Sequence, residues 1–262
     1  MTTKKNKAIT YARAVANKKI EAPKYVIKQC ADFLNIADGK NEKYVISKKK
    51  VRQIEQILKL LNMPKGLKAG QSLYECSTSY QWLLYISALA VVYRDNPEKR
   101  RYETVILEIA RKNFKTYTVG TLFIILFLTE PRFSKFFSVA PDGSLSREVR
   151  EAIAETLKAS PLIYEHNGNK RFKILRDYIS CTLNSNKYIP LNYSTSRLDG
   201  RLPQVFVADE VGALPNSFAI DAMRSGQLNI LNKLGCIIST KYPTIDNPFE
   251  TEVDYAKKVL DG

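Results

Sequence analysis

The sequence has a single histidine, His166, and four cysteines, Cys30, Cys76, Cys181 and Cys236, which stand far apart and form no CxxC pair. That scarcity excludes an ordinary Cys/His zinc site and leaves four reduced, mostly buried thiols of a cytosolic protein as the expectation. Long apolar runs are lacking too. The longest, "VGTLFIILFL" (Val119–Leu128), falls well short of the about 20 residues a membrane span needs and reads as a buried helix. The amino terminus, "MTTKKNKAIT", carries charge with no apolar run behind it, so it does not read as a secretory signal. No internal repeat or low-complexity tract is visible.

What the chain has in excess is positive charge: 41 Lys+Arg against 26 Asp+Glu, a formal net charge of +15 over 262 residues. An excess of this size suggests a polyanionic partner, nucleic acid before any other. The candidate contacts are Lys48–Lys50, Lys99–Arg101, the run Asn169–Lys173, and Arg147 with Arg150. A run such as Lys48–Lys59 also reads as a plain helix with its basic residues in solvent.

The apolar pattern changes along the chain. Residues 1–70 show helical spacing in "ITYARAVANKKI", "PKYVIKQCADFLNIA" and "KKKVRQIEQILKLLNM", with "ADGKNEKYVISKKK" as a polar connection. "MPKGLKAGQ" (Met63–Gln71) marks a boundary, and "SLYECSTSYQWLLYISALAVVYR" then reads as an apolar helix or helix pair. From "RRYETVILEI" onward, strands and helices alternate. Strands are expected at Lys135–Pro141, Gln204–Glu210 and Leu234–Thr240, with helices at Thr116–Leu128, Ser146–Ser160 and over "SFAIDAMRSGQL". "KRFKILRDYISCTLN" reads as strand material. Apolar strands separated by helices predict an α/β fold, a mainly parallel sheet flanked by helices on both faces.

Ligands in open α/β sheets bind beyond the carboxyl ends of strands, so the residues leaving those strands matter most. "VILEI" leads into "ARKNFKT", "VFVAD" into Glu210, and "GCIIS" into Thr240. The first ends in the Lys-Thr pair that closes a phosphate loop, yet it contains none of the glycines of GxxxxGK[ST]. Together the three suit one mechanism. Lys115 contacts the β- and γ-phosphates of ATP, the Thr116 hydroxyl and Asp209 hold Mg²⁺, and Glu210 polarises the attacking water. Thr240 lies on an adjacent strand within reach of the γ-phosphate. The motif order suits an ATPase with an added strand between the loop and the acid pair.

These residues resemble the ATPase portion of the large terminase subunit of tailed bacteriophages, the motor that packages DNA. That family's phosphate loop has forms such as "ARKNGKT", and "ARKNFKT" (Ala110–Thr116) departs from it only at Phe114. "LDGRLPQVFVADEVGALPN" (Leu198–Asn216) is similar to its Walker B region, and "RSGQLNILNKLGCIISTKYP" (Arg224–Pro243) to its coupling segment. The N-terminal stretch Ala8–Leu34 resembles its helical start.

The resemblance implies a P-loop NTPase core of the ASCE, RecA-like kind over residues 71–250, with a helical N-terminal extension over residues 1–70. It assigns the nucleotide to Ala110, Arg111, Lys112, Asn113, Phe114, Lys115 and Thr116, with Arg111 close to the γ-phosphate, and coupling to Ser239 and Thr240. Gln81, in "SYQW", resembles the family's adenine-reading glutamine or is an ordinary helix-surface amide. An arginine finger from a neighbouring subunit has candidates in Arg197, Arg201 and Arg224. The implied partners are double-stranded DNA, portal and procapsid, a small terminase subunit and further copies in a ring, working in the host cytoplasm without a membrane.

Two departures carry expectations. At Phe114, where the family has glycine, a bulky residue predicts ordinary backbone angles with the ring buried beneath the loop. Large subunits also continue into a two-metal nuclease, whereas residues 251–262 read as the start of a linker with no acidic cluster after it. Nuclease activity is not expected of this chain. The alternative readings are another nucleic-acid-dependent P-loop ATPase, such as a helicase, and a non-catalytic basic DNA-binding module.

Overall fold

The structure, a computed structural model, describes residues 6–193, 198, 200–244 and 246–262. The chain begins with helices α1 (Lys7–Ala16) and α2 (Lys24–Ala37), strand β1 (Tyr44–Ile46) and helix α3 (Lys48–Leu60). It continues through α4 (Leu73–Cys76), α5 (Ser79–Ala90) and β2 (Val91–Tyr93). The alternating part is β3 (Thr104–Glu108), α6 (Lys115–Thr129), β4 (Lys135–Ala140), α7 (Gly143–Lys158) and α8 (Pro161–Tyr164). Five strands follow: β5 (Glu165–His166), β6 (Asn169–Lys170), β7 (Phe172–Ile174), β8 (Ile179–Cys181) and β9 (Lys187–Asn192). The last elements are β10 (Val205–Ala208), a 3-10 turn at Val211–Ala213, α9 (Phe218–Ser225), β11 (Leu234–Ser239) and α10 (Pro248–Asp261).

Seven strands form the main sheet in the order β3-β11-β10-β4-β9-β8-β7. The first five run parallel, and β7 and β8 close the far edge as antiparallel strands. The expectation of a mainly parallel α/β sheet with a strand between the loop strand and the acid strand therefore holds, because β11 lies between β3 and β10. Side chains alternate between the faces, as the two-residue strand period requires. Phe136, Val205, Val207, Cys236 and Ile238 join one core with Phe123 and Phe127 of α6 and residues of α1 to α3. Phe137, Phe206, Ala208 and Ile237 join a second with Ile220 and Met223 of α9 and Phe249 of α10. Both faces are thus covered.

Helix α6 is buried from Thr118 to Phe127, so its apolar run packs protein on all sides. Its crossing with α7 is close at Gly120, where a β-carbon would lie 3.2 Å from Ala152 Cβ and 3.3 Å from the Ile153 amide nitrogen. No helix among the described residues is long and apolar enough to cross a membrane.

The amino ends of the strands are fastened by buried charge. Arg100 and Glu130 form an ion pair with side chains 3% and 5% exposed. Asn232 Oδ1 accepts from Arg100 Nε at 2.8 Å, and Gln204 Nε2 donates to Glu130 Oε2 at 3.2 Å. Segments leading into β3, β10 and β11 are thereby tied to the end of α6.

Two local readings need correction. The "polar connection" before α3 contains β1, which pairs antiparallel with β2 and stacks Tyr44 edge-on to Tyr93. Residues 170–184, read as strand material, do hold two short strands, β7 and β8. Strand β9 has no signal in the sequence, because Pro190 interrupts it. It tolerates that proline where β8, which pairs only as far as Tyr188, leaves one side open.

Candidate functional site

Because β3, β4, β10 and β11 are parallel, their carboxyl ends open on one edge, and the residues leaving them meet there. The loop Ile109–Phe114 joins β3 to α6, and the Ile109 amide donates to Ser239 O at 3.2 Å. Arg111 lines an open cleft of about 570 Å³ with Glu108, Ala110, Thr240 and Tyr242.

Lys115, the first residue of α6, is held between two carboxylates. Its ammonium lies 3.1 Å from Asp209 Oδ1 and pairs with Glu210 Oε1. Lys115 is only 10% exposed at its side chain and Asp209 4%. Burial alone lowers the affinity of Lys115 for its proton, but Asp209 and Glu210 outweigh that and hold it above its ordinary value. Burial raises the Asp209 carboxyl, with Lys115 opposing the shift. Thr116 is half-buried in the first turn of the same helix.

The backbone around these groups is strained. Glu210 has φ 51° and ψ 43°, and its amide donates to Asp209 Oδ1 at 2.8 Å. The 3-10 turn that follows is braced by Ser239, whose buried Oγ accepts from the Gly212 amide at 3.1 Å. Ser239 therefore faces the acid segment, while Thr240 faces the cleft beside Arg111.

Phe114 overturns the sequence-based expectation. Its φ is 59° and ψ 24°, the left-handed conformation a glycine would take, and its ring is 54% exposed rather than buried. Lys112 is also left-handed, at φ 68°. The loop thus keeps its shape without glycine, at a cost of about 1–2 kcal/mol for a non-glycine residue. Neighbours hold it there. Phe114 O accepts from the Thr118 amide at 2.8 Å and from Thr118 Oγ1 at 2.9 Å. Tyr80 Oη donates to Asn113 O at 2.7 Å, and Asn113 Nδ2 donates to Ala110 O at 3.1 Å.

Phenylalanine supplies no side-chain cap to α6, whereas Asn6, Ser47, Asp142 and Asn247 cap α1, α3, α7 and α10. The amides at the start of α6 are left for an anion. Phe114→Gly is expected to retain nucleotide affinity, because the loop shape is already that of glycine. Phe114→Val, whose β-branch resists positive φ, is expected to weaken it several-fold in a titration with an ATP analogue.

Gln81 is not a surface amide. It is 8% exposed, its Nε2 donates to Thr118 Oγ1 at 2.7 Å, and its Oε1 accepts from the Thr78 amide at 2.7 Å. It caps α5 and braces the loop through Thr118. Tyr80 and Thr118 complete this brace, and no motif marks either of them in the sequence. Among the arginine candidates, Arg224 makes a two-pronged pair with Glu252 of α10, at 2.6 and 2.7 Å. Arg201 lies 5.9 Å from the Phe137 ring centroid, and Arg197 lies outside the described residues.

The four cysteines are free and buried, and burial pushes Cys236 up to about 12. Among the described residues no cluster of three or more His, Cys, Asp or Glu side chains is arranged to hold a metal. The oxygen donors of Thr116 and Asp209 instead suit Mg²⁺, which binds through few protein ligands when phosphates supply the others.

Comparison with known proteins bears on this geometry. Residues 82–258 match the family model of the terminase large subunit, ATPase domain. The large terminase of bacteriophage HK97 superposes with a TM-score of 0.64 and 21% identity, over 81% of this chain and 42% of that one. The large terminase of a thermophilic bacteriophage, in complex with ADP, gives a TM-score of 0.42 and 19% identity, over 52% of this chain and 33% of that one. The chain therefore spans less than half the length of either protein. No curated protein matches it.

Proposed function

The chain belongs to the terminase large subunit ATPase family, and on that premise we propose that it is a Mg²⁺-dependent, ATP-hydrolysing motor domain that drives double-stranded DNA into a procapsid. The observation that carries the reading is Lys115, buried at the start of an uncapped helix between Asp209 and Glu210. A buried lysine with two carboxylates is ready to exchange one anion for another.

ATP approaches over the loop Ala110–Phe114 and the free amides of α6, where backbone donors suit phosphate oxygens. Lys115 then leaves Glu210 for the β- and γ-phosphates, and Arg111 reaches the γ-phosphate from the loop. Thr116 and Asp209 are the residues that would hold the metal. Mg²⁺ supplies neutralising charge to the phosphate oxygens. Glu210, released from Lys115, orients a water for in-line attack on the γ-phosphorus. As the new P–O bond forms, the water's proton passes to the Glu210 carboxylate, the bond to the bridging oxygen breaks, and ADP leaves with its electron pair. Ser239 and Thr240, between the acid segment and the cleft, fit a coupling role.

The basic surface suits a motor that grips the DNA backbone without reading sequence. A ring of copies, portal, procapsid, small subunit and host cytoplasm complete the proposal, with Arg197, Arg201 and Arg224 as the candidates for the arginine offered to a neighbour.

Glu210→Gln tests the reading. ATP hydrolysis, assayed with DNA and the assembled motor present, is expected to fall at least about 100-fold while binding of an ATP analogue persists. A wild-type rate from this variant would overturn the assignment.

A further inference from the structure

Tyr242 follows β11 and stands where the halves of the candidate site meet. Its ring packs against Gly212, where an added β-carbon would lie 2.4 Å from Tyr242 Cδ2. Its hydroxyl donates to Glu210 Oε2 at 3.3 Å, and it lines the same cleft as Arg111 of the phosphate loop. One side chain therefore touches the carboxylate proposed to direct water and borders the cleft that the loop arginine lines.

The backbone of Glu210 is already fixed by its bond to Asp209 and by the Gly212–Ser239 contact one turn later. What remains to be fixed is the side chain. The Glu210 carboxylate has two side-chain partners, Lys115 on Oε1 and Tyr242 on Oε2. Phosphate claims the lysine, and of the two partners only the tyrosine can stay, since a neutral phenol has no charge to offer phosphate.

We propose that Tyr242 is a positioning residue for hydrolysis: it holds the Glu210 carboxylate in its water-directing orientation after Lys115 has turned to phosphate. This inference rests on the reading of the site as one that hydrolyses ATP.

The test is Tyr242→Phe in the full chain, which removes one hydroxyl and keeps the ring on Gly212. Affinity is read with a non-hydrolysable ATP analogue and Mg²⁺, and rate as single-turnover phosphate release. The variant is expected to bind within about twofold of wild type and to hydrolyse at least about tenfold more slowly. In a Glu210→Ala background the same change is expected to add no further loss, because the group it positions is gone. An unchanged rate overturns the proposal. So does a loss of affinity that accounts for the loss of rate, or an equal loss in both backgrounds, since each describes a purely structural tyrosine. A wild-type chain that fails to bind the analogue overturns the ATPase reading itself, which separates the two failures.

Discussion

Lys115→Ala is expected to abolish ATP hydrolysis, by at least about 100-fold in kcat/KM, and also to destabilise the chain before any nucleotide is added. Both effects follow from the position of the ammonium. In the proposed mechanism it is the cation of the phosphate site. In the free chain it is the counter-charge of Asp209, only 3% exposed, and of Glu210. Removing it leaves two facing carboxylates, one of them buried, and breaking such a pair costs about 3–5 kcal/mol. The measurements are phosphate release with DNA and the assembled motor present, and thermal unfolding of the free chain. An alanine variant with wild-type hydrolysis would contradict the site; one with unchanged unfolding would contradict the buried pairing.

Arg100→Ala is expected to be the most damaging change away from the nucleotide. The guanidinium and Glu130 are almost wholly buried, and Asn232 and Gln204 complete the network. Truncation strands Glu130 in the interior, at about 3–5 kcal/mol. At about 2–4 °C per kcal/mol for a chain of this size, the unfolding midpoint should fall by roughly 6–20 °C. The double variant Arg100→Met with Glu130→Leu is expected to recover most of that loss, because a buried pair replaced by apolar groups of similar volume costs little. Nucleotide affinity should survive in the double variant, since the network lies at the amino ends of the strands, opposite the loop. If the single and double variants unfold alike, the cost lies in lost packing and not in a stranded charge.

The fold is legible wherever burial writes itself into the sequence. Strands β4, β10 and β11 are buried along nearly their whole length, and each reads as a mostly apolar run. Helix α6 is legible for the same reason. The strands that escape such reading are short, paired at an edge, or interrupted, as β1 and β9 are, and local pattern cannot reveal pairing supplied by distant residues.

At the site, the Lys-Thr pair and the Asp-Glu pair carry their chemistry in their spacing, and the structure brings Lys115, Asp209 and Glu210 together. The backbone angle of Phe114 is not legible, because intrinsic preference forbids what Thr118 and Tyr80 enforce from outside the loop. Tyr242 carries no signal. One tyrosine among 15 in a basic chain is noticed only once it is seen on Glu210, in the cleft that Arg111 lines.

Whether "ARKNFKT" is a phosphate loop without glycine, served by the acid pair of β10, is decided by calorimetric titration. A non-hydrolysable ATP analogue is titrated into the chain with and without Mg²⁺, for wild type, Lys115→Ala and Asp209→Asn. Mg²⁺-dependent binding is expected of wild type, with binding lost in Lys115→Ala and the Mg²⁺ dependence lost in Asp209→Asn. Binding that is the same in all three proteins, with or without the metal, would contradict the assignment.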